Sequence, residues 1–289
     1  MKIYMPKSGD PINAVLRKAV DSHNELELTD SQRKADYIFL VSYFPFKIDI
    51  EFPKKTLIVD YNDGTNLFKK TYEKVLLYFK RSVCDKHPSR FRNYGNRNII
   101  PISYPIKDEA AKFKIKPLSE RGVDIAVFFP FYARGNRGKI SKIIRDNYGE
   151  KYNIHIGYLG KNGHKGRSSV QKEYYDKILD SKIVVTANPA WCEGDWRLFE
   201  ALGCATLTIV DKMITPVKNR LEDGKHLLYY ESKNELIKKI DYYIKNLDEA
   251  QMIATSGHNH VLKHHTAKAR IDEILEEIKN IERKQVNEN

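Results

Sequence analysis

The feature that most constrains this chain is a set of short, unbroken apolar runs separated by helix-length segments. Asp36–Ser42 (DYIFLVS), Thr56–Asp60 (TLIVD), Asp124–Pro130 (DIAVFFP), Lys182–Thr186 (KIVVT) and Ala205–Val210 (ATLTIV) are rich in Val and Ile and lack the alternation of a half-solvated strand. Strands buried on both faces read this way, and they belong to parallel sheets covered by helices. Lys2–Met5, Val75–Phe79, Ile154–Leu159 and Leu227–Tyr230 add shorter strands, and Asn98–Tyr104 adds another that Pro101 weakens. Helical spacing lies between them. Pro11 precedes Ile12, Val15, Leu16 and Ala19, and further helices are expected at Thr65–Glu73, Gly138–Tyr148, Ser168–Leu179, Trp196–Leu202 and Lys233–Asn246. The last 40 residues read as helix throughout, with Ile271, Ile274, Leu275, Ile278 and Ile281 forming one stripe.

The alternation runs twice, on either side of a Pro- and Lys-rich linker over 105–121. This predicts an α/β chain of two doubly wound, Rossmann-like domains facing across a cleft. An N-terminal domain would cover 1–120, a second domain 121–265, and a C-terminal helix 266–289 that packs back on the first domain. A length of 289 residues suits two such domains. Ligands in these sheets bind beyond the carboxyl ends of the strands. The loops after Phe129, Leu159, Thr186 and Val210 are therefore the places to search.

Composition excludes several classes. With 41% hydrophobic and 30% charged residues the chain is globular rather than disordered. No apolar run reaches the ~20 residues of a membrane span. The N-terminus lacks the apolar core of a signal peptide, so a cytoplasmic protein is expected, in the host cytoplasm if viral. Cys84, Cys192 and Cys204 are widely spaced and odd in number, which argues against a disulfide framework or a zinc ribbon. The net charge of +12 favours acidic partners or is simply a Lys-rich surface.

The richest stretch chemically is Ser181–Asp211. A strand leads to a loop carrying Glu193 and Asp195, then to a helix that Asp195 can cap, with Arg197 and Glu200 inside it. A helix N-terminus beside an arginine suits a diphosphate, and a glutamate one turn on can accept hydrogen bonds from sugar hydroxyls. Equally, Arg197 and Glu200 could pair on the surface. The loop Ala133–Lys139 places Arg134, Arg137 and Lys139 beside two glycines, after a strand and before a helix. It is either a phosphate loop or an exposed basic turn. Lys161 and Lys165 follow the next strand. In the first half, Asp10 stands where it could deprotonate an acceptor hydroxyl or open the turn before Pro11. Residues 80–97 hold Lys80, Arg81, Lys86, Arg90, Arg92 and Arg97 against Asp85 alone, with His87, Phe91 and Tyr94 interleaved. This composition fits a nucleic-acid backbone, a lipid surface or a solvated loop. The histidines of Gly257-His258-Asn259-His260 and His264-His265 lie in a helix without acidic or Cys neighbours. They read as cleft or surface residues rather than metal ligands.

Ser181-Lys182-Ile183, followed by the acidic loop and Arg197-Leu198-Phe199-Glu200-Ala201-Leu202-Gly203, resembles the donor-binding element of GT-B glycosyltransferases. The likeness is to the group 1 type that includes the spore-maturation CgeB-like family. Arg121–Ile125, Leu221–His226, Glu235-Leu236, His265-Thr266 with Arg270, and Tyr78–Arg81 match further pieces in the same order. The resemblance is fuller over 121–275 than before it. It implies a metal-independent transferase that needs no cofactor and takes a nucleotide-sugar donor, a UDP-sugar foremost. Arg134, Arg137, Lys139, Lys161, Arg197 and Glu200 would hold the donor, and Asp10, Glu193 and Asp195 would be the catalytic candidates. Retention is the expected course. Glu193 and Glu200 stand one residue closer together than the paired glutamates of many retaining members, which leaves the sugar-side role to Glu193 or Asp195. The acceptor expected is hydroxymethylated or glucosylated cytosine in DNA, as in phage DNA modification, bound by Lys80, Arg81, Arg90, Arg92 and Arg97. A cell-surface or viral glycan is the alternative acceptor. A non-catalytic nucleic-acid-binding protein on the same scaffold is the alternative class.

Overall fold

A computed structural model describes residues 1–42, 50–63, 74–83, 99–129, 133, 135–157, 172–188 and 194–287. The chain forms two parallel sheets. The first contains β1 (Lys2–Tyr4), β2 (Glu27–Thr29), β3 (Tyr37–Ser42), β4 (Thr56–Asp60), β5 (Leu77–Lys80) and β6 (Ile99–Pro101), in the order β2-β1-β3-β4-β5-β6. The second contains β7 (Val123–Val127), β8 (Ile154–Ile156), β9 (Ser181–Val185), β10 (Leu207–Asp211) and β11 (Leu228–Tyr230), in the order β8-β7-β9-β10-β11. Both sheets start on the strand next to an edge, add one neighbour outward, then reverse. Each therefore has a switch point, between β1 and β3 and between β7 and β9, where its loops diverge and leave a crevice.

The unbroken apolar runs are the central strands, as their composition requires. β4 is buried at every position. The shorter edge strands differ from expectation. β2 is three half-polar residues, too short to show a period, and pairs with β1 through Lys2↔Glu27 to Tyr4↔Thr29. β6 ends at Pro101 and, among the described residues, has only β5 beside it, the edge position where a residue without an N–H is tolerated.

Helix α1 (Pro11–Asp21) begins as its sequence dictates. Asp10 Oδ1 accepts from the Ile12 and Asn13 amides, and Pro11 occupies the first turn. Its apolar face covers the first sheet. The second domain carries α2 (Asn136–Tyr148), α3 (Lys172–Leu179), α4 (Trp196–Gly203), α5 (Lys233–Tyr243) and α6 (Leu247–His264). The helix expected over Thr65–Glu73 lies outside the described residues.

The last 40 residues, read as helical throughout, contain an interruption just before the C-terminal helix expected from 266. The break falls at His265–Thr266, and α7 (Ala267–Asn287) starts anew. The linker passes through the break. Ile106 N–H donates to the His265 carbonyl at 2.8 Å, and Ala267 N–H donates to the Ile106 carbonyl at 2.9 Å. The two crossings between domains are thus tied to each other by backbone hydrogen bonds. Beyond the break α7 lies against α1, with its Ile271, Ile274, Leu275 and Ile278 in the first domain's core, and His23 meets Asp272 at 3.0 Å.

Arg121 anchors the end of the linker. Its guanidinium donates to the carbonyls of Lys116, Ser181, Cys204 and Ala205 and is 2% exposed. Burial pushes its pKa down to about 10. Close packing also fixes α6. A β-carbon on Gly257 would fall on the His226 carbonyl oxygen and 2.9 Å from Leu202 Cδ2. Gly257→Ala is expected to destabilise the protein by about 1–3 kcal/mol through overpacking, read as a lower urea midpoint with an unchanged slope.

Candidate functional site

The carboxyl end of the second sheet is organised around one carboxylate. Asp195 caps α4, and its Oδ1 accepts from Leu198 N–H at 2.9 Å and from the Thr186 hydroxyl at 3.2 Å. Its Oδ2 accepts from Arg137 Nη2 at 2.9 Å and Arg197 Nη1 at 3.2 Å. The arginines are held at their other nitrogens by main chain: Arg137 Nε donates to the Ala187 carbonyl at 3.3 Å and Arg197 Nε to the Phe128 carbonyl at 3.1 Å. Asp195 is 1% exposed, Arg197 11% and Arg137 23%, so Arg137 is the member most open to a ligand. Two guanidinium groups against one carboxylate leave a net positive charge at a helix N-terminus beside the β7/β9 switch point. Such an arrangement favours an anion.

This geometry revises the readings of single residues. Asp195 is a clasp for two arginines and is almost wholly buried beneath them. Arg197 and Glu200 do not pair. Glu200 is 4% exposed, and its oxygens accept from the hydroxyls of Tyr174 (2.8 Å) and Tyr175 (3.2 Å) on α3. It therefore joins α3 to α4, each of its oxygens accepting one of these hydroxyls. Burial and the neighbouring carboxylate push the Tyr175 hydroxyl pKa far upward, so it remains a donor. Lys139 is exposed, and two residues on from Arg137 it points roughly the opposite way around α2. It lines a separate cleft of about 690 Å³ with Asn136, Lys142, Asp211, Tyr230 and Ser232. Arg134, Lys161 and Glu193 lie outside the described residues.

The largest correction concerns Lys80 and Arg81, both expected on a nucleic-acid surface. Each is 0% exposed. Lys80 extends into a polar network at the ends of β4 and β5, where its ammonium donates to the Asn62 carbonyl at 2.8 Å and lies 3.3 Å from Asp60 Oδ2. Tyr78 donates its hydroxyl to the same Asp60 oxygen at 2.5 Å. Neither cation is available to DNA phosphates. Charge in sequence does not report the face of a strand end when a partner carboxylate is placed only by the fold. Arg90, Arg92 and Arg97 lie outside the described residues. Asp10, at the β1/β3 switch point, caps α1 with Oδ1, while its Oδ2 is shielded from solvent and accepts no hydrogen bond among the described residues.

Sequence reasoning missed Asn188 and Gly194. Asn188 Oδ1 accepts from Gly194 N–H at 2.7 Å, its own N–H donates to Asp211 Oδ1 at 2.7 Å, and its side-chain amide donates to the Asp211 carbonyl at 2.9 Å. It thereby ties the loop after β9 to the end of β10. Burial pushes the Asp211 carboxyl up to about 6. Gly194 has φ +69°, and a β-carbon there would meet Met213 Sδ at 2.8 Å. A glycine between two acids directly before a helix was the available signal.

The histidines gather at the domain crossing. His226 stacks on His260 with centroids 4.0 Å apart, and His260 lies 4.9 Å from His264 and 5.5 Å from His265. His260 and His265 both meet the Asn219 carbonyl through Nε2. No group of three or more His, Cys, Asp or Glu among the described residues is arranged to hold a metal. Burial and the neighbouring imidazole push His226 down to about 4, against the opposing pull of Glu222, and burial with Arg270 holds His265 well below its ordinary value.

Two open parallel sheets meeting at their carboxyl ends, one bearing a cationic helix N-terminus at its switch point, define the GT-B architecture of glycosyltransferases. The chain belongs to the glycosyl transferase-like family, whose family model matches residues 130–276. Its fold is similar to that of an alpha-glucosyltransferase solved with UDP-glucose and DNA containing an abasic site. That match has a TM-score of 0.64 at 9% identity, over 96% of this chain and 98% of that one. A second alpha-glucosyltransferase structure, with UDP and a 13-mer DNA containing an HMU base, gives 0.64 at 10% identity over 95% and 98%. Anabaena Alr3699/HepE with UDP and glucose gives 0.57 at 11% identity over 96% and 99%. None of the curated proteins compared with the chain matches it.

Asp195→Ala leaves two arginines without their carboxylate and α4 without its cap, and is expected to cost about 3–5 kcal/mol in chemical denaturation. The lowered histidines bind protons more readily in the unfolded chain, so their contribution is complete above pH 6.5 and is lost as pH falls toward 4. The thermal midpoint should drop across that window, and His226→Gln should flatten the drop.

Proposed function

We propose that this glycosyltransferase takes a UDP-sugar and transfers the sugar, with retention and without a metal ion, to a hydroxyl of a modified cytosine in DNA. The observation that carries the donor reading is the Asp195 clasp. It holds Arg137 and Arg197 at the N-terminus of α4, where the diphosphate of the donor would receive two guanidinium groups and the helix dipole. In the transfer, the bond from the anomeric carbon to the β-phosphate oxygen breaks and a bond to the acceptor oxygen forms. The acceptor's proton passes to a base or to the leaving diphosphate. Fixed cations at the leaving group stabilise charge that develops only as this bond breaks. Asp10 Oδ2, at the switch point of the opposite sheet, is the candidate base on the acceptor side. Glu193 is the remaining candidate for the sugar-side carboxylate.

The DNA acceptor is supported by Arg90, Arg92 and Arg97 in the first half of the chain, and by the DNA in two structures of an alpha-glucosyltransferase with a similar fold. A base within a duplex would have to flip out to reach the interdomain cleft.

The test is transfer of labelled UDP-sugars to hydroxymethylcytosine DNA, unmodified DNA and free saccharides, each with and without EDTA. Label is expected in the hydroxymethylated DNA and unaffected by the chelator. Label in saccharide alone would move the acceptor to a glycan. Binding of no nucleotide sugar would favour the non-catalytic alternative. Arg137→Ala should weaken UDP binding by roughly 10–100-fold, the worth of one charge-assisted hydrogen-bond pair, measured by calorimetry.

A further inference from the structure

Arg81 is the first residue after β5, in the first domain, yet its side chain ends in the second. Its Nη1 donates to the Gly194 carbonyl at 2.8 Å, and its Nε donates to the Tyr61 carbonyl at 3.3 Å. Its Nη2 is paired with Asp63, whose side chain is 45% exposed. The guanidinium carbon lies 4.7 Å from the centre of the Tyr104 ring. Tyr104 stacks on Tyr61 at 5.2 Å and on Trp196, the first residue of α4, at 6.1 Å.

Gly194 is thereby held from both domains. Its N–H is bound by Asn188 of the second domain and its carbonyl by Arg81 of the first. The next residue is Asp195, which fixes Arg137 and Arg197. A buried arginine is a demanding way to fill an interface, since an apolar residue of similar volume is often neutral or stabilising there. What the guanidinium adds is direction: three donors, aimed at Tyr61, Asp63 and Gly194, fix the angle between the end of the first sheet and the start of α4.

We infer that Arg81 is a positioning residue for transfer, locking the peptide before the Asp195 clasp to the acceptor-side domain so that donor phosphates and acceptor hydroxyl keep their register. This rests on the glycosyltransferase reading above. Arg81 is 0% exposed, so it acts through Gly194 rather than on a substrate. Its removal should leave the arginine pair itself intact, and so leave UDP affinity largely unchanged, while misaligning the two halves.

The experiment compares the full-length protein with Arg81→Lys and Asp63→Asn. A lysine keeps the charge but cannot direct donors to all three acceptors. Arg81→Lys is expected to keep UDP binding within about threefold and to lower kcat by roughly 10–100-fold, the cost of misplacing reacting groups by about 1 Å. Asp63→Asn loosens the same grip from its solvent-facing end and should lower kcat by a smaller factor with near-native stability. It therefore serves if the lysine variant does not fold. A readout independent of turnover is hydrogen exchange: protection of the Gly194 amide and the first turn of α4 should fall at least ~10-fold in Arg81→Lys, or by a lesser factor in Asp63→Asn. Folded variants with wild-type kcat and unchanged exchange overturn the proposal. So does a loss of activity that follows thermal stability alone and is restored at low temperature. If the wild-type protein neither binds nor transfers any nucleotide sugar, the glycosyltransferase reading fails. The exchange data then decide whether Arg81 locks the domains, and unchanged protection would remove that as well.

Discussion

The buried carboxylate of Asp195 is the constraint on which the donor-side half of the molecule depends. It fixes the N-terminus of α4, the hydroxyl of Thr186 at the end of β9, and two arginines drawn from different elements. Without it, two guanidinium groups would repel each other near a positive helix end. With it, they are held in place, and Arg137 keeps the greater share of exposed surface. In the proposed reaction, such a site would stabilise charge appearing in the transition state without having to reorganise when it appears.

The positive balance of the chain divides by location. Lys80 and Arg81 are internal and serve the first domain's polar network and the domain contact. Arg121 is internal and serves the linker. Arg137 and Arg197 face the clasp, and Lys139 faces a different cleft. A net charge of +12 is thus a sum over groups with unrelated tasks. Its use as a pointer to an acidic partner falls on the cations of residues 86–97.

The two domains share more than a cleft. The apolar core of the first sheet continues through Tyr104 and Trp196 into α4, and the linker and the α6–α7 break are joined through Ile106. Movement of one domain on the other would be registered at Gly194 and at Ile106. Gly194 adjoins the residues proposed to bind the donor, and Ile106 adjoins the histidine cluster.

The sequence by itself determined the central strands, the two-block order and the capped starts of the helices after Asp10 and Asp195. These follow from local rules: apolar runs too short for a helix, Asp10 before Pro11, Asp195 before Trp196. It also pointed to Asp195 as the cap of a helix carrying Arg197, because a capped helix after a buried strand is a local pattern, whereas Arg137, on another loop, was joined to them only by the fold. What it could not determine was the partner of each charge. Glu200 looked free for a sugar and meets two tyrosines of α3, Arg81 looked free for DNA and reaches a carbonyl more than a hundred residues away, and the C-terminal helical stretch is interrupted where the linker crosses it. Periodicity encodes which face is buried, but the identity of a buried ion's neighbour depends on chain segments brought together only when the sheets meet. The physical reason is that burial makes an unpaired charge costly, so the fold rather than the local sequence selects its partner.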